Sequence, residues 1–187
     1  MANTKMPGGN ELLNPQSILH DELQVTYGSQ IGDLGCGGVG YFTFQSAQLV
    51  GDTGLVYAVD VQKMILKNIE HRAKMLGLQN IKVVWSNLES FGATKINDGS
   101  LDFVLLVNIL FQNKHPEKVL REAVRMLRNQ GKLLVIDWKQ GRFPLGPSAD
   151  RKIAPEKVSD LALGAGLKKR KEFEAGKFHY GIIFEKI

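Results

Sequence analysis

The stretch Asp33-Leu34-Gly35-Cys36-Gly37-Gly38-Val39-Gly40 sets four glycines within six positions, behind an acidic residue and ahead of an apolar stretch. Glycines clustered between a strand and a helix let the backbone approach a ligand that any Cβ would push away. Asp60 closes the next strand-like run, Leu55-Val56-Tyr57-Ala58-Val59-Asp60. A carboxylate about 20 residues beyond such a loop, at the tip of the next strand, is placed to hold a ribose diol. The segment therefore reads as the binding site of a nucleoside-containing cofactor, and Asp33 bears on which one.

Outward from this loop, strands and helices alternate. Residues 1–10 are polar and glycine-rich and are expected to be mobile. Asn14-Pro15 marks a helix start, with Asn as N-cap and Pro at the first helical position, and the helix is expected to run to about Leu23. Ser29 to Leu34 reads as a strand, Tyr41 to Leu49 as a helix and Leu55 to Asp60 as a second strand. A helix over Gln62 to Leu76 carries Ile65, Ile69, Ala73 and Leu76 as its apolar stripe and stops at Gly77. Ile81 to Trp85 is the third strand. Leu101 to Val107, apolar on both faces, belongs in the middle of a parallel sheet.

A helix over Pro116 to Leu127, a strand over Lys132 to Asp137, a Gly/Pro-rich loop over 139–152 and a helix over Pro155 to Ala165 follow. The last two strands, near Lys168 to Phe173 and Phe178 to Glu185, are separated only by a tight turn at Ala175-Gly176 and so form an antiparallel hairpin. One helix, five βα units and a hairpin predict an α/β, doubly wound, mostly parallel sheet with an antiparallel last strand, in a single domain over residues 1–187.

Composition narrows the classes. No apolar run approaches the ~18–20 residues that span a bilayer, and the first residues lack the basic-then-apolar pattern of a secretory signal. A cytoplasmic location is the expectation. The single cysteine, Cys36, excludes an internal disulfide framework and a cysteine zinc cluster, and no metal site is expected. The net charge of +5 is thin support for a nucleic-acid partner. The run Lys168-Lys169-Arg170-Lys171 reads as a solvated strand entrance, since no Gly/Arg repeat or aromatic-basic interleaving accompanies it.

Two cofactors compete for the glycine loop. Gly35-x-Gly37-x-x-Gly40 followed by Asp60 matches the dinucleotide fingerprint, which makes an NAD(P)-dependent oxidoreductase the alternative reading. Against it, Asp33 would set negative charge near a pyrophosphate lying over the helix N-terminus. The chain also offers one sheet and no separate substrate domain, and it closes on a hairpin. A ligand bearing an amine and a sulfonium suits Asp33 better.

The segment Asp33-Leu34-Gly35-Cys36-Gly37 resembles the first motif of class I S-adenosylmethionine (SAM)-dependent methyltransferases. The likeness runs from Leu13-Asn14-Pro15 through His179-Tyr180-Gly181 and is greatest to the small methyltransferase-domain proteins related to ubiquinone/menaquinone biosynthesis enzymes. The resemblance implies a Rossmann-like methyltransferase fold of seven strands, the seventh antiparallel and inserted between the fifth and sixth. It implies that Gly35, Gly37 and Gly38, with Cys36 among them, line the methionine portion of SAM, with Asp33 near its amino group. Asp60 would take the ribose hydroxyls and Val61 would pack on the adenine. Asn87, where the family usually has Asp, would accept from the adenine amino group, Leu88 would offer a backbone N–H, and Asn108 would approach the methionine through its main chain. The family spacing puts a third glycine at Val39, whereas here it is Gly40. Either the loop holds one extra residue or Gly38 provides the close approach.

Methyl transfer needs chiefly alignment and exclusion of water, with a general base for some oxygen or nitrogen acceptors. The acceptor is expected beyond the C-terminal ends of the parallel strands, and to be a small or medium-sized molecule. Trp138, His179 and Tyr180 lie at that rim, with Asp137 and His115 beside them. No catalytic residue is assigned. His179 is the candidate base, Asp137 is expected to orient loop backbone, and His115-Pro116 reads as a helix entry. No Asn-Pro-Pro-aromatic motif follows Val107, which argues against the amino-methyltransferases of DNA bases or protein glutamine, and no cysteine set suits arsenic methylation. Residues 1–24 are expected to cover the site. A SAM- or RNA-binding module without turnover is the non-enzymatic alternative.

Overall fold

The computed structural model describes residues 12–187, so the reading of residues 1–10 as a mobile segment lies outside the described residues. Seven strands form one sheet: β1 Gln30–Leu34, β2 Leu55–Asp60, β3 Ile81–Trp85, β4 Leu101–Val107, β5 Leu127–Trp138, β6 Leu167–Gly176 and β7 His179–Lys186. Their order is β3-β2-β1-β4-β5-β7-β6. Neighbours from β3 to β5 run parallel, and β7 lies antiparallel between β5 and β6. The strand order reverses between β1 and β4, and the crevice above such a reversal is where open α/β sheets hold ligands.

Helices cover both faces. A short α1, Pro15–Ser17, capped by the Asn14 side chain accepting from Ser17 N–H, passes into a π-helical turn over Ile18–Glu22. With α2 Tyr41–Val50 it covers one face, burying Ile18, Leu19 and Phe42 against Ile31, Val56 and Leu105. On α3 Lys63–Met75 the buried stripe is Leu66, Ile69 and Ala73. The expected Leu76 falls past the helix end at 53% exposure. α4 Pro116–Met126 and α5 Pro155–Gly164 cover the opposite face, with Leu120, Met126 and Val158 packed on Val104, Leu106 and Val135. β4 is buried on both faces except at Asp102, which accepts from Gln30 N–H at 2.8 Å and from Arg128 Nε at 2.5 Å.

Two expectations are corrected. β5 begins at Leu127 rather than Lys132, because Leu127 already pairs with Leu101 and the register then jumps, with Phe103 opposite Lys132. Only four of the five crossovers carry a helix: residues 86–100 link β3 to β4 through turns. That loop is held by α4 instead. Glu122 is fully buried and accepts from Gly92 N–H (2.7 Å) and Thr94 N–H (3.0 Å). Arg125 pairs with Glu122 and Asp98 and donates to the carbonyls of Thr94 and Ile96. Burial alone would raise the Glu122 carboxyl, but Arg125 and the two backbone donors outweigh it and hold it at about 2.

The basic run lies on the edge strand β6. Arg170 pairs with Glu185 at 2.5 Å, Lys169 with Glu172 and Lys171 with Glu22. Paired charges along an edge strand blunt its tendency to add another strand. Among the described residues no helix is long and apolar enough to cross a membrane, and no cluster of His, Cys, Asp and Glu could hold a metal ion.

Candidate functional site

At the end of β1 the chain turns over the tip of β2, where Gly35 N–H and Cys36 N–H both donate to the Val59 carbonyl (2.7 and 3.0 Å). The four glycines then divide by what a Cβ would meet. At Gly35 (φ +81°) it would lie 2.1 Å from Ile109 Cδ1. At Gly40 (φ +60°) it would lie 2.4 Å from Ile69 Cδ1 and 2.8 Å from Phe44 Cε2. Both are packing glycines, and Gly40 is also the left-handed N-cap of α2. Gly37 and Gly38 have nothing within 4 Å of that position. This is the pair that leaves room for a ligand. The missing Cβ of Gly35 faces Ile109 and not open space.

Two carboxylates lie under this loop. Asp33 is 2% exposed and accepts from Thr43 Oγ1 at 2.5 Å. Burial, added to by the charge of Asp60, raises its carboxyl to about 6 against the pull of Thr43. Asp60, at 8% exposure, accepts from Gln62 N–H (2.9 Å) and Gly37 N–H (3.3 Å). A carboxylate offers about four lone-pair directions, so acceptor capacity remains for a hydroxyl pair. Cys36 is buried and free, and burial pushes its thiol up, which removes it as a nucleophile.

On the β2–β3 side, Val61 is exposed and its carbonyl accepts from Trp85 Nε1 at 2.8 Å. Asn87 is exposed with Oδ1 accepting from Glu89 N–H, while the Leu88 side chain is buried in the core. Asn108, beyond β4, has φ +57°. Its N–H donates to Ile136 and its carbonyl accepts from Gln112 Nε2, so both main-chain groups already have partners within the fold.

A cavity of about 410 Å³ opens from the Gly37–Gly38 pair toward the loops that follow β4 and β5. Besides Cys36 and Asn108, already named from the sequence, its wall includes Tyr41, Phe111, Gln112, Trp138, Pro147 and Arg151. Of the latter, only Trp138 was singled out in the sequence. The signal for Phe111, Gln112, Pro147 and Arg151 was topological: loops after β4 and β5 leave the same end of adjacent parallel strands and must converge there, while Tyr41 opens α2 directly after the glycine turn. Asp137, fully buried, accepts from Trp138 N–H (2.8 Å) and Phe111 N–H (3.2 Å). It thus orients loop backbone, as the sequence suggested. Burial raises its carboxyl to about 7 despite those donors.

The other rim residues turn away. His179 is 0% exposed and does not line the cavity; its ring packs against Trp138 at a 44° tilt with centroids 4.2 Å apart. Burial, then the charges of Lys139 and Lys152, lower its imidazole to about 4. Tyr180 is buried, and its hydroxyl donates to the Ile153 carbonyl at 3.0 Å. His115 caps α4 at the surface beside Glu117. No His, Asp or Glu lines the cavity among the described residues.

Residues 26–181 match the family described as a methyltransferase domain. The chain belongs to that family. An arsenite methyltransferase of Aquipseudomonas alcaligenes is 30% identical over 140 residues, covering 73% of this chain and 38% of its own length. The ubiquinone/menaquinone biosynthesis C-methyltransferase UbiE of Pseudoalteromonas translucida is 34% identical over 117 residues, covering 62% of this chain and 45% of its own. The methyltransferase domain described here thus spans less than half the length of either relative. A SAM-dependent methyltransferase from Aquifex aeolicus superimposes with a TM-score of 0.86 at 26% identity, covering 97% of this chain and 94% of that one. The seven-strand order, the family and this neighbour make the chain a SAM-dependent methyltransferase domain of Rossmann-like fold.

Proposed function

We propose that this domain transfers the methyl group of SAM to a small or medium-sized acceptor held in the cavity between the Gly37–Gly38 loop and Trp138. The observation that carries it is the open face of Gly37 and Gly38, which lets backbone approach a ligand directly above two carboxylates. Those acids suit a cofactor with an amine and a ribose diol. A dinucleotide would bring its pyrophosphate to the same place, where Asp33 repels it.

Bound SAM supplies an electrophilic methyl and a good leaving group. The chain's own part is to hold and orient. Asp33 faces the amino group, Asp60 holds the ribose, and Val61 and Asn87 flank the adenine. Phe111 and Trp138 wall the acceptor side and exclude water. Of the segment 1–24 expected to cover the site, the described part packs on the sheet and lines no part of the cavity, so the cover is assigned to residues 1–11.

An arsenite acceptor is disfavoured. Arsenite is thiophilic, and these 187 residues contain one cysteine, buried in the cofactor loop. His179, sealed behind Trp138, has no route to a proton in the cavity.

Calorimetric titration with S-adenosylhomocysteine and with NADH tests the proposal. The first is expected to bind and the second not, with Asp60→Ala abolishing binding of the first. NADH binding without S-adenosylhomocysteine binding would overturn it in favour of an oxidoreductase.

A further inference from the structure

The acceptor half of the cavity holds one charge. Its wall is apolar and aromatic through Phe111, Trp138 and Pro147, with Tyr41 and Gln112 as polar neutral groups. Arg151, at the end of the loop after β5, is the charged residue among those that line it. Its guanidinium stands over the Phe111 ring, 5.8 Å from the centroid. Arg125, Arg128 and Arg170 are spent on Glu122, Asp102 and Glu185, and Arg72 donates to the Val39 carbonyl. Among the described residues the guanidinium of the exposed Arg151 has neither an acidic partner nor a hydrogen-bond acceptor, while its backbone N–H donates to the Ser148 carbonyl at 3.1 Å. The same wall offers no carboxylate or imidazole to take up a proton.

From this arrangement we infer that the acceptor is an aromatic compound bearing a carboxylate, its ring against Phe111 and Trp138 and its anionic group on Arg151. The inference rests on the methyltransferase reading above and narrows it to a substrate class. A guanidinium presents a planar fork that matches a carboxylate with two parallel hydrogen bonds. At cation–π distance from the Phe111 ring it keeps that fork open toward the cavity.

SAM also carries a carboxylate, so the same chemistry has two sources. Position favours the acceptor. Arg151 belongs to the loop of β5, which is two strands from β1 in the sheet order. At ~4.8 Å per strand, that loop starts roughly 10 Å from the glycine turn. The loop after β4, which carries Phe111, lies between them.

The test titrates 4-hydroxybenzoate and its neutral counterpart 4-hydroxybenzamide into protein preloaded with S-adenosylhomocysteine. The benzoate is expected to bind at least about tenfold more tightly. Arg151→Gln should erase that preference while leaving S-adenosylhomocysteine affinity within about twofold, and Arg151→Lys should keep part of it. Retained S-adenosylhomocysteine binding also shows that the variants are folded. Equal binding of the two probes, binding of neither, or an undiminished preference in Arg151→Gln overturns the inference. Loss of S-adenosylhomocysteine binding in that variant alone also overturns it, assigning Arg151 to the cofactor's carboxylate. Failure of the unaltered protein to bind S-adenosylhomocysteine would instead remove the methyltransferase reading on which the inference stands.

Discussion

Asp33 holds its proton up to about pH 6, chiefly because it is buried and secondarily because Asp60 is near. In the cofactor-free fold a raised carboxyl contributes stability below its unfolded value near 3.8 and loses it as pH climbs through about 6. Asp137, raised to about 7, acts in the same sense. A cationic amine reverses the preference, since it favours the ionised Asp33. Affinity for S-adenosylhomocysteine is therefore expected to rise by up to about tenfold between pH 5 and pH 7. Asp33→Asn should bind more weakly at pH 7 and flatten the profile; an unchanged slope in calorimetry would detach Asp33 from the cofactor. Residue type and position marked Asp33 and Asp60: one carboxylate precedes the glycine turn and the other closes the next strand about 20 residues on. The glycines were harder to tell apart. Gly35 and Gly40 are explained by Ile109, Ile69 and Phe44, which are distant in sequence, so spacing grouped them with the two that face open space.

At the scale of elements, the β3–β4 crossover depends on a pair of α4 side chains where a helix was expected. Breaking a buried ion pair by removing one partner costs about 3–5 kcal/mol, because the other charge is left uncompensated. Glu122→Ala is expected to lower stability by about that much, read as a fall in the urea midpoint. The folded carboxyl sits at about 2 against 4.5 unfolded, so the contribution is present above pH 4.5 and lost as pH falls toward 2. An unaltered midpoint would show that residues 86–100 hold their course without it. The strands were legible because alternation, apolar runs and Gly or Pro punctuation are local signals. The clamp was not, since Glu122 meets Gly92 and Thr94 from about thirty positions away. Leu127 was read as helix end for the same reason: only its pairing with Leu101 makes it strand.

For the molecule as a whole, the N-terminal segment joins the sheet at the rim that bears the site. The Leu12 carbonyl lies 3.0 Å from where a Gly176 Cβ would stand, beside the turn that begins β7. Removal of residues 1–11 keeps the Asn14 cap and the buried Leu13, and so tests cover apart from folding. Weaker S-adenosylhomocysteine binding with an unchanged melting temperature is expected; unchanged binding would remove residues 1–11 from the site. The acceptor side has a different design. Asp137 joins the backbone of Phe111 to the end of β5, while Tyr180 and Lys152 tie down the far part of the β5 loop at Ile153 and Gly141. Asp137 thus couples the two loops, so that lengthening one would pull on the other. Selectivity in this scaffold is thus most readily altered by exchanging side chains at Phe111, Gln112 and Pro147 within fixed loop lengths, and an engineer would gain more from a point library there than from grafted loops.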